Sequence, residues 1–129
     1  MISSSRILAF DPGETTGISY LAGGNFMWGM VCNAACFDSE IFIMSLATMT
    51  KPSTIVIEIP PAQTVHPNKD QSRIYDTLER FYKIAGFNVV SMNPGQWKGL
   101  IERTKVDATH IRDAADMAKM QFGRELHRK

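Results

Sequence analysis

Cysteine is almost missing from this chain of 129 residues: Cys32 and Cys36 are the whole supply. With no second pair, and no histidine at finger-like spacing, neither a zinc site nor a disulfide framework is indicated, and both thiols are expected to be ordinary buried side chains. Long hydrophobic runs are missing too. The apolar stretches break off well short of the roughly 20 residues a membrane helix requires, and the opening MISSSR has no apolar signal core behind it. No membrane partner is therefore expected, and the chain is expected to stay in the cytoplasm. Charge imbalance is slight, at +1, which alone does not point to nucleic acid. Internal repeats, linkers and low-complexity segments are lacking, so residues 1–129 are read as a single domain with one active surface. A composition of 44% hydrophobic and 21% charged residues is that of a globular chain.

What is present is a series of strand and helix signals. RILAFD (6–11) reads as a strand with Ile7, Ala9 and Asp11 on one face and Leu8 and Phe10 on the other, and apolar residues on both faces mean a central, covered strand. Asp-Pro-Gly-Glu then suits a type II turn, with Gly13 supplying the positive φ. TGISYLAGG and NFMWGMVC form a hairpin around Gly-Gly-Asn. Asp38 or Ser39 caps a helix to about Thr48 that carries Ile41, Met44, Ser45 and Thr48 at helical spacing. STIVIEI is a second covered strand, stopped by Pro60-Pro61. A helix from about Ser72 to Ala85 follows, with Ile74, Leu78, Phe81, Tyr82 and Ala85 on one stripe and Gly86 as its stop. FNVVSM is a third covered strand. Asn93 and Pro94 fit the N-cap and first position of a short helix containing Trp97 and Lys98, and a last helix runs from an Asp107 cap to about Leu126, or stops near Phe122 where Gly123 weakens its end. The order predicts an α/β fold, a three-strand meander followed by parallel strands.

Acids stand at telling places in this order. Asp11 and Glu58 each close a covered strand, and the helix-containing crossover makes those strands parallel, so neighbouring ends put two carboxylates within reach of one cation. Burying them without a partner would be costly. In DAADMAK, Asp113 and Asp116 stand at i, i+3 on one side of the last helix and can share a metal. An apolar stripe of Ile111, Ala115, Ala118 and Phe122 lies nearly opposite and would turn both acids to water, whereas Met117 and Met120 flank them on their own side. From the helix alone both orientations stay open. Four carboxylates without a histidine cluster match Mg²⁺ or Mn²⁺ rather than zinc. Two such ions, about 3.5 to 4 Å apart, would clamp a phosphodiester for hydrolysis. They would also raise the net charge from +1 to +5, which favours a polyanion. From Gln96 onward eight Lys and Arg outnumber five Asp and Glu, two of the five being the proposed ligands, so the tail is the expected phosphate-facing end.

Four segments, ILAFDPGETTGISYL, IVIEIP, NPGQWKG and DAADMA, follow one another with acids at matching places. In that order the chain resembles the RuvC-type Holliday-junction resolvases of the RNase H-like superfamily, most of all their short phage-encoded members. The segments look like that family's first strand and DPG turn, its fourth strand with the second acid, its Pro-x-x-Trp-Lys segment and its final double-aspartate helix. The resemblance implies an RNase H-like fold, a five-stranded mixed sheet flanked by helices. It also implies metal-dependent incision of branched DNA (four-way junctions, forks, flaps) by a homodimer without a nucleotide cofactor, in a bacterial cell or a phage-infected host. By position, Asp11, Glu58, Asp113 and Asp116 would be ligands to two Mg²⁺ or Mn²⁺ ions, the last two facing the sheet. Lys98 would contact the phosphate near the scissile bond, and the helix from Ser72 to Ala85 would supply much of the dimer contact. The stretch between Trp97 and Asp113 is shorter than in longer cellular members, and the loop PAQTVHPNKDQ offers no Phe or Tyr for the crossover, His66 being its only ring. Weak sequence preference and tolerance of several branched forms are expected.

Other residues divide between functional and ordinary readings. Thr15 and Thr16 offer hydroxyls to a phosphate, though turn threonines usually cap their own backbone. Lys105 is a second candidate phosphate contact. His110, one turn before Asp113, could orient that acid, sense the phosphate or have no task. Glu14 is expected in solvent, Trp97 as a core anchor and the methionines as core filler. Three rival functions remain to be weighed. Asp-x-Gly with Thr-Thr is also similar to the phosphate loop of actin-like sugar kinases, but that fold clamps ATP between two domains and this chain has one. A ribonuclease of RNA/DNA hybrids would use the same acids and metals. A non-catalytic branched-DNA-binding module would keep the sheet without turnover.

Overall fold

The computed structural model describes residues 4–60, 69–93, 104 and 108–127. Alternation in the first strand, β1 (Arg6–Asp11), builds the molecule outward from its middle. Leu8 and Phe10 enter one core, Ile7 and Ala9 the other, and every residue from Ile7 to Asp11 is buried. β2 (Thr15–Ala22) and β3 (Asn25–Asn33) form the expected hairpin. Gly23 and Gly24 make its turn with φ of 58° and 85°, the two positive values a tight hairpin of this twist demands. β4 (Thr54–Glu58) pairs parallel with β1, and β5 (Val89–Met92) pairs parallel with β4, giving the order β3-β2-β1-β4-β5. The mixed five-stranded sheet is thus present. One strand differs from expectation: β5 is an edge strand of four residues, half-buried for most of its length, rather than a covered one.

Three helices cover the sheet. A 3₁₀ turn over Ala34–Asp38, not anticipated from the sequence, leads from β3 into α1 (Glu40–Thr50). Ser39 is the N-cap, its Oγ accepting from the Phe42 amide at 3.2 Å, and Lys51 ends the helix in the left-handed region just before Pro52. α1 sits in a different rotation from the one its spacing suggested. Ile43, Leu46, Ala47 and Thr50 are buried, whereas Ile41 and Thr48 are exposed and Met44 and Ser45 are only half-buried. α2 (Lys69–Ile84) begins three residues earlier than expected and ends in a Schellman motif. There the Phe87 amide donates to Tyr82 O and the Gly86 amide to Lys83 O, both at 3.0 Å, with Gly86 at φ 93°. Tyr82 is buried because its hydroxyl finds the Ile43 carbonyl at 2.7 Å, tying α2 to α1.

α1 and α2 pack on Leu8, Phe10, Ile18, Ile55 and Ile57, while α3 (Thr109–His127) packs alone on Ile7, Ala9, Leu21 and Val56 through Ala114, Ala115, Met117 and Ala118. Small residues let α3 approach closely. It runs through Gly123 to His127, so the glycine does not stop it. Among the described residues no helix is long and apolar enough to cross a membrane. The Asp107 cap and the expected short helix around Trp97 lie outside the described residues. Methionine is only partly core filler, since Met92 and Met117 are buried but Met27 and Met49 are exposed.

Candidate metal and nucleic-acid site

The last residues of β1 and β4 are Asp11 and Glu58, each 7% exposed. The parallel register pairs Phe10 with Ile57, so the next step along both strands sets the two acids side by side. Alternation then assigns the face: Asp11 follows Ile7 and Ala9, Glu58 follows Val56, and all of these point towards α3. The sequence therefore placed this pair correctly, at the rim where α/β sheets gather ligands.

α3 begins at that same rim because Gly17 admits it. A Cβ on Gly17 would lie 2.1 Å from the carbonyl oxygen of His110, so any other residue would push the first turn of α3 off the sheet. Ser19 fastens the approach, its Oγ donating to Ile111 O at 2.7 Å. His110 is thereby brought to Asp11, with Nδ1 3.1 Å from Oδ2. Its partner is the strand acid and not Asp113, the acid on its own helix. At the opposite rim Glu125 accepts from the hydroxyls of Ser5 at 3.0 Å and Thr54 at 3.3 Å, so α3 is pinned at both ends. Gly17 was the overlooked residue, and a glycine inside a strand, which marks close backbone approach, was the signal that could have found it.

The two α3 acids stand in different surroundings. Asp113 is half-buried, three residues on from His110. Asp116 is fully buried, and its Oδ1 accepts from the Thr104 amide at 2.9 Å and the Thr104 hydroxyl at 2.8 Å. A solvated Asp116 is excluded. At about 100° per residue it stands roughly 160° round the helix from the sheet-facing Ala114, so the chain at Thr104 is what meets its carboxylate. Among the described residues no three of His, Cys, Asp and Glu gather closely enough to hold a metal ion. The donor chemistry of the Asp11–Glu58 pair, two carboxylates on rigid strand ends, nevertheless fits a hard divalent cation.

The turn after Asp11 departs from the expected type II form, since Gly13 is not among the glycines with positive φ. Thr16 closes it instead. Its hydroxyl donates to Gly13 O at 3.1 Å and lies 3.3 Å from the Gly13 amide, and the side chain is fully buried, so Thr16 does not present its hydroxyl to a phosphate. Thr15 and Glu14 are exposed. Lys98, Lys105 and His66 lie outside the described residues.

No protein-family model and no curated protein matches the sequence. Solved structures do match in fold. RuvC from Thermus thermophilus superposes with a TM-score of 0.74 at 14% identity, over 95% of this chain and 96% of that one. The same organism's RuvC in complex with a Holliday junction substrate gives 0.70 at 13% identity, again over 95% and 96%. The yeast mitochondrial Holliday junction resolvase Ydc2 gives 0.61 at 13% identity, over 97% of this chain and 83% of that one. The chain thus has the fold of these proteins over nearly its whole length.

Proposed function

We propose that this chain is a divalent-metal-dependent endonuclease acting on branched DNA, four-way junctions included. One observation carries the reading: two carboxylates stand side by side at neighbouring parallel strand ends, on the α3 face of a sheet that superposes on junction resolvases. Asp11 and Glu58 would hold Mg²⁺ or Mn²⁺, with Asp113 as a further ligand and two ions in the loaded site; Asp116, expected from the resemblance to join them, turns its carboxylate away from the sheet to Thr104. Such ions polarise the scissile phosphate and lower the proton affinity of the attacking water. His110 restrains the Asp11 carboxylate from the solvent side. Lys98 would contact the phosphate beside the scissile bond, and Lys105, Thr15 and His66 the flanking backbone.

A homodimer would place two such sites on opposed strands. Support comes from the outward face of α1 and α2, where Ile41, Met44, Met49 and Phe81 line an apolar groove of about 500 Å³ and Ile84 stands exposed beside it. An apolar patch of this kind on a small domain marks an interaction surface.

The decisive experiment offers labelled four-way, forked and linear DNA, and an RNA/DNA hybrid, with Mg²⁺, Mn²⁺ or chelator. Cleavage of the branched forms is expected with metal, and none with chelator. Asp11→Asn should abolish cutting and leave junction binding within about twofold, since binding rests on the phosphate contacts. Cleavage of the hybrid alone would make the chain a ribonuclease, and tight junction binding without turnover under either metal would make it a binding module.

A further inference from the structure

Asp116 is expected by resemblance to share the ions with Asp11 and Glu58, and its place in the fold does not fit that task. The strand acids lie at the rim where α3 starts, on the side of the sheet that Ala114 and Ala118 touch. Asp116 comes six residues after His110, about 9 Å further along the helix axis, and roughly 160° round from Ala114. A hard divalent cation takes its oxygen ligands at about 2.0–2.6 Å, so an ion on Asp11 and Glu58 has the body of α3 between itself and this carboxylate. Thr104 occupies the carboxylate instead. Its amide donates to Asp116 Oδ1 at 2.9 Å and its hydroxyl donates to the same oxygen at 2.8 Å. Asp116 is fully buried and Thr104 is 7% exposed. Two donors from one residue on one oxygen fix the main chain at Thr104 against the far side of α3, and hydrogen bonds to a carboxylate are shorter and stronger than neutral ones.

We propose that Asp116 is a positioning residue for DNA and not a metal ligand: it grips the chain at Thr104 and so fixes the point from which Lys105 reaches a flanking phosphate. Lys105 directly follows Thr104 in the sequence, and consecutive Cα atoms stand about 3.8 Å apart across a trans peptide. The grip needs an acceptor at Oδ1, which asparagine supplies as well as aspartate. A carboxylate ligand to Mg²⁺ or Mn²⁺ would lose its charge in the same exchange, and with it much of the affinity for the ion. The phosphate contact rests on the nucleic-acid reading given above; the grip does not.

The test compares wild type with Asp116→Asn, Asp116→Ala and Thr104→Val, the last keeping the shape and removing the hydroxyl. Mn²⁺ affinity is measured by calorimetry without DNA, four-way-junction affinity by fluorescence anisotropy in chelator at several salt concentrations, and Thr104 amide exchange by NMR. Mn²⁺ affinity should stay within about twofold in all three variants, whereas Asp11→Asn lowers it by about tenfold or more. Asp116→Ala should weaken junction binding by about threefold to tenfold and flatten its slope against log salt by about one, as loss of one phosphate contact does. Lys105→Ala should give the same change, and the double variant no more than either. Asp116→Asn should stay near wild type in binding and in exchange, Thr104→Val should fall between, and Thr104 should exchange about tenfold faster or more in Asp116→Ala. If Asp116→Ala does not fold, Thr104→Val carries the comparison. A tenfold loss of Mn²⁺ affinity in Asp116→Asn overturns the inference, as does an unchanged salt slope in a variant whose Thr104 amide is freed. Wild-type protein that binds no junction at any salt overturns the DNA role, whereas wild type that binds the junction without cutting it removes the nuclease reading alone.

Discussion

Gly17 decides whether His110 can reach Asp11, because its missing side chain is the space that the first turn of α3 occupies. Gly17→Ala is expected to lower stability by about 1–3 kcal/mol, the usual cost of overpacking against backbone, as read from urea unfolding. His110 itself is half-exposed, and its ring reaches Asp11 at the rim rather than entering the core. His110→Ala should therefore leave the unfolding midpoint nearly unchanged, within about 0.5 kcal/mol. Its effect falls on cutting, which should drop by about tenfold to a hundredfold as the Asp11 carboxylate loses its restraint. A single-turnover cleavage assay beside the urea curve separates the two effects. Asp11 and Glu58 were legible in the sequence because strand alternation has a period of two and leaves no choice of face. Neither the partner of His110 nor that of Asp116 was legible, since both come from segments distant in the chain.

At the scale of elements, α2 is tied to the edge strand β5 through one small polar network. The Tyr75 hydroxyl lies 2.6 Å from Glu79 Oε2 and 2.7 Å from Ser91 Oγ, and Ser91 Oγ lies 3.3 Å from the same carboxylate. Donation from Tyr75 holds Glu79 below the usual carboxylate range. A carboxyl whose folded value lies below its unfolded one adds stability above the ordinary glutamate range and loses it as pH falls through the folded value. Tyr75→Phe should cost about 1 kcal/mol at neutral pH, and the difference from wild type should shrink in acid, below the folded value of Glu79. Urea midpoints at neutral and strongly acidic pH would show it. Element types were readable here, since α2 has a clean amphipathic stripe with Ile74, Leu78 and Tyr82 buried. Rotation was not readable for α1, which is apolar on two sides and offers its spacing to the core and to solvent alike.

For the whole molecule, the exposed apolar face of α1 and α2 and the acid rim lie on different parts of the surface, so assembly and cutting can be separated by mutation. Ile41 and Ile84 are 83% and 81% exposed. Ile84→Arg with Ile41→Glu should leave the fold intact and convert the expected dimer to a monomer in sedimentation velocity. Paired incision of opposed junction strands should be lost with it, while nicking of single strands persists. A wild-type chain that sediments as a monomer at micromolar concentration removes the dimer from the proposal.

The order of elements along the chain, the two-sided burial of β1, and the places of Asp11 and Glu58 at strand ends were determined by sequence alone, because in a strand apolar alternation fixes the face each residue takes. The tertiary structure alone decided which sides α1 and α3 turn to the sheet, that Thr16 folds its hydroxyl into the turn, and that Asp116 meets Thr104. A helix that can bury more than one stripe has no preferred rotation until something packs against it, and for α3 that choice fell to the missing side chain of Gly17 and a handful of hydrogen bonds.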